Sequence, residues 1–438
     1  ASVSAENTAS DVKINETNFP DSIFRSIVSE NYDTDKNNLL SAEELANVTS
    51  IFISNKGISN LKGIEYFTAL IFINCDNNKL TWLNVSKNTK LNFLSCCNNQ
   101  LTSLNVSKNT ELDMLGCYEN QLTSLDLSNN TNLTQLHCSL NQLTSLDLSK
   151  NTALSLFTCS ANKLTSLDLS QNTELTELHC DKNNLKSLNV SNSTKLEYLV
   201  CNNNKLTSLD VSRNTALKEL QCYENQLTTL DVSGNTALKK LSCNDNELVS
   251  LSMGQNAALT SLRAERNNLT SLDLSYCAAL INLTCYNNAL TSLNLSNTSV
   301  SLLDANTMDV SDAYRVKMSE GKFDLATLRR FDVSKASDWT NAQIEGNIVT
   351  VIDLSKPVKY TYDTGRGFAT FLIVSGLAGD ANLDGKLDVR DCAYIARMLA
   401  QRDTEKLPAK ADFNGNGKID VRDAAAIARF LAKNHKNN

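Results

Sequence analysis

Proline is nearly absent from this sequence. Only 3 of the 438 residues are proline, Pro20, Pro357 and Pro408, so none lies between residues 21 and 356. Because proline is a common loop residue, so long a stretch without it indicates one regular architecture. No run of about 18 apolar residues occurs, which argues against membrane insertion. The formal net charge of −7 argues against a nucleic-acid partner.

Cysteine, in contrast, is abundant and regularly placed. Eleven positions recur every 21 residues, and all but the tenth hold cysteine: Cys75, Cys96, Cys117, Cys138, Cys159, Cys180, Cys201, Cys222, Cys243, Ala264 and Cys285. Neither a disulfide framework nor a zinc-binding CxxC pattern explains this spacing. A fixed period of this length is typical of a solenoid.

Each 21-residue repeat holds two L-x-x-L-x-[LVC] segments, as in residues 133–153. Their alternation predicts two half-buried strands per coil. An asparagine lies three places after each cysteine position, as Asn141 follows Cys138. The pattern resembles the leucine-rich-repeat consensus over roughly residues 49–298. The resemblance implies a right-handed solenoid of parallel strands whose turns are closed by a stacked asparagine ladder.

The repeated cysteines are predicted to be buried free thiols. Free cysteine packs as a small apolar residue, and a disulfide between stacked strands would distort a parallel ladder. Three further cysteines lie outside this column: Cys97, Cys277 and Cys392. Cys97 is expected to point outward beside Cys96, where it would be able to react.

An N-terminal segment, residues 1–48, is predicted to cap the array. Residues 33–44 fit the twelve-residue EF-hand loop, with Asn38 in place of the usual glycine. Asparagine tolerates a positive φ, and flanking helices are expected around residues 21–31 and 41–48. Calcium would be bound by oxygens of Asp33, Asp35, Asn37, Leu39 (carbonyl) and Glu44. The alternative is a metal-free acidic helix–turn–helix.

Residues 299–376 interrupt the period. Alternating segments at 345–352, 358–363 and 368–374 predict strands, with a turn at 363–367. We expect a small β-rich module that covers the last coil and connects it to the C-terminal domain.

The C-terminal residues, 377–438, contain two acidic twelve-residue loops, each followed by an apolar helix. Oxygen side chains at loop positions 1, 3, 5 and 12, glycine at 6 and a carbonyl at 7 are what a hard cation requires. The predicted calcium ligands are Asp380, Asn382, Asp384, Lys386 (carbonyl), Asp388 (through water) and Asp391, and Asp412, Asn414, Asn416, Lys418 (carbonyl), Asp420 (through water) and Asp423. Folding should depend on the two ions, because the carboxylates repel one another without them.

This duplicated pattern resembles a type I dockerin over about residues 379–434. The resemblance implies calcium-dependent binding to a cohesin domain of a cellulosome scaffoldin, and with it secretion to the extracellular space. Loop positions 10 and 11 hold Val-Arg in both halves, where the best-known members have Ser or Thr. The cohesin-binding residues carried over are Val389, Arg390, Ala396, Arg397, Val421, Arg422, Ala428 and Arg429. Because the halves are nearly identical, either half is expected to dock.

A ligand face is predicted on the first strand of each coil. Side chains beside the cysteine column vary from coil to coil, while the second segment hardly changes. Variation within a uniform scaffold is what a protein-binding or glycan-binding face would show, although drift on a solvated surface gives the same pattern. The candidate residues are Tyr118, His137, His179, Asp181, Tyr198, Tyr223 and Tyr286.

Catalysis is the less favoured interpretation. Glu177 and Glu219 share a column about 10 Å apart, within the range of an inverting carboxylate pair, but nothing in the sequence would raise the pKa of either. The stacked column that contains Asp126 and Asp147 needs hydrogen bonds from neighbouring Ser or Thr, or structural cations, to offset like-charge repulsion.

The predicted fold is an α/β-type leucine-rich-repeat solenoid of mostly parallel 21-residue β coils. It carries an N-terminal helical EF-hand-like cap, a small β module and an all-α calcium-binding dockerin. The predicted function is non-catalytic binding by a secreted, tethered solenoid. The alternatives are a polysaccharide-active enzyme on the solenoid and an adhesin for cell or host surfaces.

Overall fold

The computed structural model describes residues 11–300, 314–316, 322–328, 330–352, 357–366, 368–375, 381, 389–401, 407, 411–413 and 418–434. The chain divides into two compact units, Ala1–Asn225 and Gln226–Asn438.

The first unit begins with a small helical cap. Strand β1 (Val12–Lys13) pairs antiparallel with β2 (Leu39–Leu40), and helices α1 (Ser22–Asn31) and α2 (Ala42–Asn47) lie within the ranges predicted for them. Asp21 caps α1, since its side chain accepts hydrogen bonds from two backbone amides of the first turn. A capping box begins α2, in which Ser41 and Glu44 each accept from the other's backbone amide.

Nine parallel strands follow, and each pairs in register with the strand one coil later. A short 3₁₀ helix, Ile64–Tyr66, interrupts the first coil. The strands are β3 (Ser50–Phe52), β4 (Phe72–Asn74), β5 (Phe93–Ser95), β6 (Met114–Gly116), β7 (Gln135–His137), β8 (Leu156–Thr158), β9 (Glu177–His179), β10 (Tyr198–Val200) and β11 (Glu219–Gln221).

The second unit continues the repeat with seven short strands. They are β12 (Thr229–Asp231), β13 (Lys240–Ser242), β14 (Ser250–Ser252), β15 (Ser261–Arg263), β16 (Ser271–Asp273), β17 (Asn282–Thr284) and β18 (Ser292–Asn294). Three parallel ladders result: β13–β15–β17, β12–β14 and β16–β18. The leucine-rich-repeat solenoid of parallel coils predicted from the sequence is confirmed.

The second segment of each coil departs from the prediction. It forms a strand in β12, β14, β16 and β18, whereas between residues 75 and 225, all of which the structure describes, it shows only an isolated bridge between Asn84 and Asn105. In the coil of residues 112–132, Asp126 Oδ1 accepts from the backbone N–H of Ser128 at 3.0 Å. The same bond from Ser233 to Asp231, at 2.9 Å, follows strand β12, so this turn closes the second segment whether or not the segment forms a strand.

The interior is built from repeated columns. The cysteines of the 21-residue series and the adjacent strand leucines are almost completely buried. An asparagine ladder closes the turns, as predicted: the Asn99 side chain donates to the carbonyl oxygens of Cys75 and Cys96, both at 3.1 Å, and accepts from the N–H of Leu80 at 3.0 Å. These bonds satisfy buried backbone groups that the short coil leaves unpaired.

The segment after the repeats forms two small sheets. One has the order β19 (Tyr314–Val316), β25 (Phe368–Ser375), β24 (Val358–Asp363), β21 (Ala336–Thr340), and the other the order β20 (Lys322–Asp324), β23 (Ile348–Val351), β22 (Ala342–Glu345). Short 3₁₀ helices span Leu325–Thr327 and Val333–Lys335. The predicted strands at 358–363 and 368–374 are confirmed. The single strand predicted at 345–352 is wrong, because Gly346 (φ 59°) turns the chain there and makes a hairpin of β22 and β23.

This β module packs on the last repeat. The buried Tyr360 ring stacks on Trp339 at 4.5 Å between centroids, and its hydroxyl donates to the Thr291 carbonyl at 2.7 Å. The backbone N–H of Leu295 donates to the Thr364 carbonyl at 2.8 Å. The module therefore contacts the final coils of the second unit, as the sequence predicted.

Two helices make up most of the described C-terminal region. They are α3 (Val389–Ala400) and α4 (Val421–Asn434), each following one of the predicted loops. Buried Ile395 and Ile427 meet in one small core with Met398 and Leu407.

Candidate functional site

The N-terminal acidic loop brings three carboxylates together. Oxygens of Asp33, Asp35 and Glu44 lie within 4.8 Å of one another, and Asp33 is buried. Calcium binds oxygen at 2.3–2.6 Å, so ligands on opposite sides of one ion lie about 5 Å apart. Asn38 has the predicted positive φ, 63°. The donor set and its spacing therefore fit calcium.

Backbone and hydroxyl donors already surround the loop carboxylates. Glu44 accepts from the N–H and hydroxyl of Thr34 at 2.6 and 2.7 Å and from the hydroxyl of Ser41 at 2.9 Å. Burial acts to raise the pKa of Glu44, but hydrogen bonds from Ser41 and Thr34 outweigh it and hold this pKa at about 2. Asp33 accepts from the N–H groups of Asn37 and Asn38 at 3.1 and 3.0 Å. Glu44 is thus ionised and positioned at neutral pH.

The C-terminal region places two carboxylates at equivalent loop ends. Asp391 and Asp423 are fully buried in the first turns of α3 and α4. Asp391 accepts from the N–H of Ala381 at 2.8 Å, and Asp423 from the N–H of Asp420 at 2.9 Å. Because a buried carboxylate must be compensated, these positions suit the twelfth ligand of a calcium loop.

Several other predicted calcium ligands cannot be placed. Asp380, Asn382, Asp384, Lys386, Asp388, Asn414 and Asn416 lie outside the described residues. Asp412 is half-buried and Lys418 is exposed. Asp420 is bound by the Arg422 guanidinium at 2.6 Å, a hydrogen bond that lowers the pKa of its carboxyl.

The eight predicted cohesin-binding residues are all exposed on the two helices. Val389 and Val421 are 70% and 69% exposed, which is unusual for valine, and Arg390 and Arg422 follow them. About two turns later come Ala396, Arg397, Ala428 and Arg429, each also exposed. The two helices therefore present the same residues in the same order, as the internal repeat predicted.

On the solenoid, part of the predicted ligand face forms one cluster. His179 Nε2 lies 3.0 Å from Glu177 Oε1 within β9. His137 Nδ1 lies 3.3 Å from the Thr158 hydroxyl on the adjacent strand. Burial lowers the pKa of His137, and Glu177 opposes this effect. Tyr198 is in register with Glu177 on the next strand.

Other predicted face residues do not join this cluster. Tyr118 and Tyr223 are five coils apart, which at about 4.8 Å per strand separates them by roughly 24 Å. Tyr286 belongs to the second unit, where Arg266 lies over its ring at 5.8 Å. Asp181 lies next to the cysteine column and accepts from the Ser160 hydroxyl on the preceding coil.

The sequence-based interpretation missed an aromatic stack on the same strands. The Phe72 and Phe93 rings are parallel with centroids 4.1 Å apart, and Phe52 lies 4.7 Å from Phe72 and is 66% exposed. Met114 extends the column by one strand. The signal in the sequence is the position three residues before each repeated cysteine, which holds Phe72, Phe93 and Met114 in successive coils.

The expectation that Cys97 is outward and reactive is wrong. Its side chain is only 3% exposed, and its backbone N–H donates to Asp76 Oδ1 at 2.7 Å. A Cβ on Gly116 would lie 3.0 Å from the Cys97 sulfur, so the glycine allows the next coil to close over the thiol. Burial raises the pKa of Cys97 to about 12, which leaves it without reactive thiolate at neutral pH.

The repeated cysteines are free and buried, as predicted. Sulfur atoms point towards backbone carbonyls of the next coil, for example Cys75 towards Ser95 O at 3.3 Å and Cys96 towards Gly116 O at 3.4 Å. Burial raises the pKa of Cys138, as of Cys222, to about 12. The column is therefore a structural core and has no features of a redox or metal site.

Like-charge repulsion in the surface aspartate column is offset locally. Asp126, Asp147 and Asp168 each accept from a serine N–H two residues later, at 2.9 to 3.0 Å. These hydrogen bonds lower the pKa of each carboxyl. Hydrogen bonds from serine therefore offset the repulsion between the stacked aspartates, which is one of the two explanations that the sequence suggested.

The chain is similar to a known domain family and to a curated protein. Residues 378–432 match the family model of the dockerin type I domain. Internalin J of Listeria monocytogenes serotype 4b (strain F2365) is 37% identical over 71 residues, which are 16% of this chain and only 8% of that protein.

Solved structures of internalins share the solenoid fold. The functional domain of internalin J from Listeria monocytogenes, described as including a cysteine ladder, is 27% identical, with a TM-score of 0.54 over 84% of this chain and 99% of that one. The internalin inlF from strain 4b F2365 is 24% identical, with a TM-score of 0.57 over 65% of this chain and 87% of that one. Within the described residues, no helix is both long and apolar enough to cross a bilayer.

Together these observations define a leucine-rich-repeat solenoid that is joined to a small helical calcium-binding domain. The chain is a leucine-rich-repeat protein with a C-terminal type I dockerin. Calcium binding and attachment to cohesin in a cellulosome follow from the dockerin.

Proposed function

We propose that this protein is a secreted, non-catalytic recognition subunit that its dockerin attaches to a scaffoldin. The observation that carries the proposal is the paired exposure of Val389-Arg390 and Val421-Arg422 on two helices whose buried faces match. An exposed valine beside an arginine offers apolar contact and a charged donor at one place, a combination suited to a protein interface.

Calcium holds this docking surface in place. Asp391 and Asp423 lie only two residues after the exposed valines and are themselves buried. An ion bound at each loop would neutralise the buried carboxylate and fix the start of the helix that carries the interface. We propose one ion per dockerin loop, and a third in the N-terminal loop through Asp33, Asp35 and Glu44.

The solenoid supplies the recognition surface. Phe52 is exposed and the stacked Phe72 and Phe93 rings are half-buried, so the three rings form a partly solvent-accessible aromatic surface on one strand face. Exposed aromatic clusters mark interaction sites, since a soluble protein gains nothing by leaving them in water. We propose that the Phe52–Phe93 stack is the apolar centre of a protein-binding face.

The polar cluster farther along the strands would set specificity. His137, Glu177 and His179 combine donors and acceptors at the surface of adjacent strands. Such groups select a partner by electrostatic complementarity. Glu177 lies 3.0 Å from His179, and Glu219 accepts from the Gln221 amide at 2.6 Å. Each carboxylate therefore already has a hydrogen-bonding partner, which favours binding over acid–base catalysis.

A screen of secreted proteins and plant polysaccharides with the full-length chain tests this function. We expect saturable binding of a protein without release of reducing sugar from any polysaccharide. Replacement of both Phe72 and Phe93 by serine should weaken binding at least tenfold, whereas the matched replacement of Phe368, exposed on the β module, should not. Steady release of sugar would establish the enzyme alternative instead, and binding to intact cells without a protein ligand the adhesin alternative.

A further inference from the structure

One coil of the solenoid breaks the repeat at its outer turn. The turn reads Asp-[Leu/Val]-Ser at residues 231–233 and 273–275, but Ser-Met-Gly at 252–254. In the regular turns the aspartate accepts from the serine N–H, at 2.9 Å for Ser233 and 3.1 Å for Ser275. Ser252 has no carboxylate to make this bond.

Gly254 lets the irregular turn approach the preceding coil closely. A Cβ at this position would lie 2.4 Å from the carbonyl oxygen of Ser233 and 2.7 Å from its Cα. Only glycine tolerates such an approach to backbone atoms. The turn therefore packs closely against Ser233 of the preceding coil.

A groove of about 400 Å³ opens beside this turn. Strand β14 pairs with β12, and β16 pairs with β18, but no ladder pair joins β14 to β16 in the described residues 226–300. Leu251 and Met253 are partly exposed in the groove, whereas Leu272 and Leu274, one coil later, are 2% and 0% exposed. The groove thus has an apolar floor.

The walls of the groove are polar. Ser250, Ser252 and Ser271 line it, and within the part of the chain that the structure describes their hydroxyls make no hydrogen bond. Tyr276, 62% exposed, stands at one side, and Arg330 from the β module lies on the other. These groups are all available to a ligand.

The groove carries no net charge. Arg330 lies 3.5 Å from Asp273, and the adjoining groove of about 270 Å³ adds Asp332 and Lys335. The two grooves together thus hold two carboxylates and two cationic side chains. A strongly charged ligand of either sign would be repelled by one of these pairs. A neutral ligand with many hydroxyl groups would instead find donors and acceptors of both kinds.

We propose that this groove between the coils at Ser252 and Ser271 binds a short neutral oligosaccharide. The apolar face of a pyranose would lie on Leu251, Met253 and the Tyr276 ring, because an aromatic ring offers a rigid apolar surface beside a polar group. The sugar hydroxyls would bind the serines and the Asp273–Arg330 pair. The volume lies within the usual range of small-ligand sites.

Titration of the full-length chain with hexasaccharides of β-1,4-linked glucose, xylose and mannose tests the proposal. At least one should bind saturably, and Tyr276→Ala and Arg330→Ala should each weaken binding at least tenfold. The controls Trp82→Ala, an exposed aromatic residue in the first unit, and Arg213→Ala should leave the affinity unchanged. Ser252→Asp, which restores the residue found in the regular turns, should also weaken binding by filling the groove.

Circular dichroism should first show that each variant has the same unfolding temperature as the parent chain, so that a loss of binding cannot be due to unfolding. Failure of all three sugars to bind, unaltered binding by the Tyr276 and Arg330 variants, or loss of binding in Trp82→Ala would overturn the proposal. None of these results bears on cohesin binding or on the Phe72–Phe93 face, so the failure of this inference is distinguishable from a failure of the proposed function.

Discussion

Asp391 and Asp423 occupy equivalent places in the two halves of the dockerin, each fully buried in the first turn of its helix. Each carboxylate accepts a backbone N–H, from Ala381 and from Asp420 respectively. The exposed valine and arginine of each half precede these residues directly. We therefore propose that ion binding and partner binding are coupled through these neighbouring residues in both halves.

The near-identity of the halves predicts two modes of docking. Val389→Glu with Arg390→Glu should leave cohesin affinity within about threefold of the parent, because Val421 and Arg422 remain. Changing all four residues should abolish binding. Isothermal titration with one cohesin measures both effects.

Loss of binding in the first variant alone would show that a single half docks. The reciprocal change at Val421 and Arg422 is the matched control, and equal behaviour of the two variants is expected from the equal exposure of the two valines.

The N-terminal loop should bind calcium through Glu44. We expect Glu44→Gln to weaken calcium binding to this loop at least tenfold, because it replaces the charged ligand at the twelfth position. Exposed Glu43→Gln, one residue away, should have little effect. Calcium titration followed by the chemical shifts of residues 33–44 measures the affinity of this loop separately from the dockerin.

Equal calcium affinity in the two variants, or no calcium-dependent shift in the parent, would show that the loop is a metal-free cap. The hydrogen bonds from Thr34 and Ser41 would then be the whole role of Glu44.

The buried thiols should make stability fall at alkaline pH. Burial raises the pKa of Cys138 to about 12 from its ordinary value of 9.0. Above pH 9 the unfolded chain therefore releases a proton that the folded chain retains, which favours unfolding. The contribution of the buried neutral thiol to the free energy of unfolding is fully present below pH 9 and is lost as the pH rises towards 12. The free energy of unfolding falls by about 1.4 kcal/mol per pH unit for each such thiol in this range.

Cys138→Ala provides the comparison, since Ala264 occupies the same column in a native coil. The variant is expected to be less stable at pH 7, but the difference from the parent chain in the free energy of unfolding should shrink between pH 9 and 10.5. Urea unfolding at each pH measures it. A constant difference across this range would contradict burial of the neutral thiol.

The repeat made most of the fold predictable. Because Cys138 and Asn141 recur with one spacing, their burial and hydrogen bonding in one coil could be extended to all, and the docking helices followed from a second internal repeat. Features that depend on the neighbouring coil were not predictable in the same way. Cys97 alternates with a core residue, but its burial depends on Gly116 in the next coil.

The aromatic stack and the groove on the solenoid were likewise not predictable from the sequence. The stack of Phe72 and Phe93 exists only because parallel register places residues 21 apart side by side. The groove beside Ser252 lies where Gly254 closely approaches Ser233, a contact that no pattern of residue types specifies. Residue columns indicate which side chains are neighbours, whereas gaps between coils are a property of the packed structure.

Binding of the full-length chain to a panel of immobilised scaffoldin cohesins tests the proposed calcium-dependent attachment. Surface plasmon resonance should show saturable binding to at least one cohesin in millimolar calcium, complete loss of binding in excess chelator, and recovery when calcium is returned. Binding that persists in chelator, or the failure of every cohesin to bind in calcium, would contradict it.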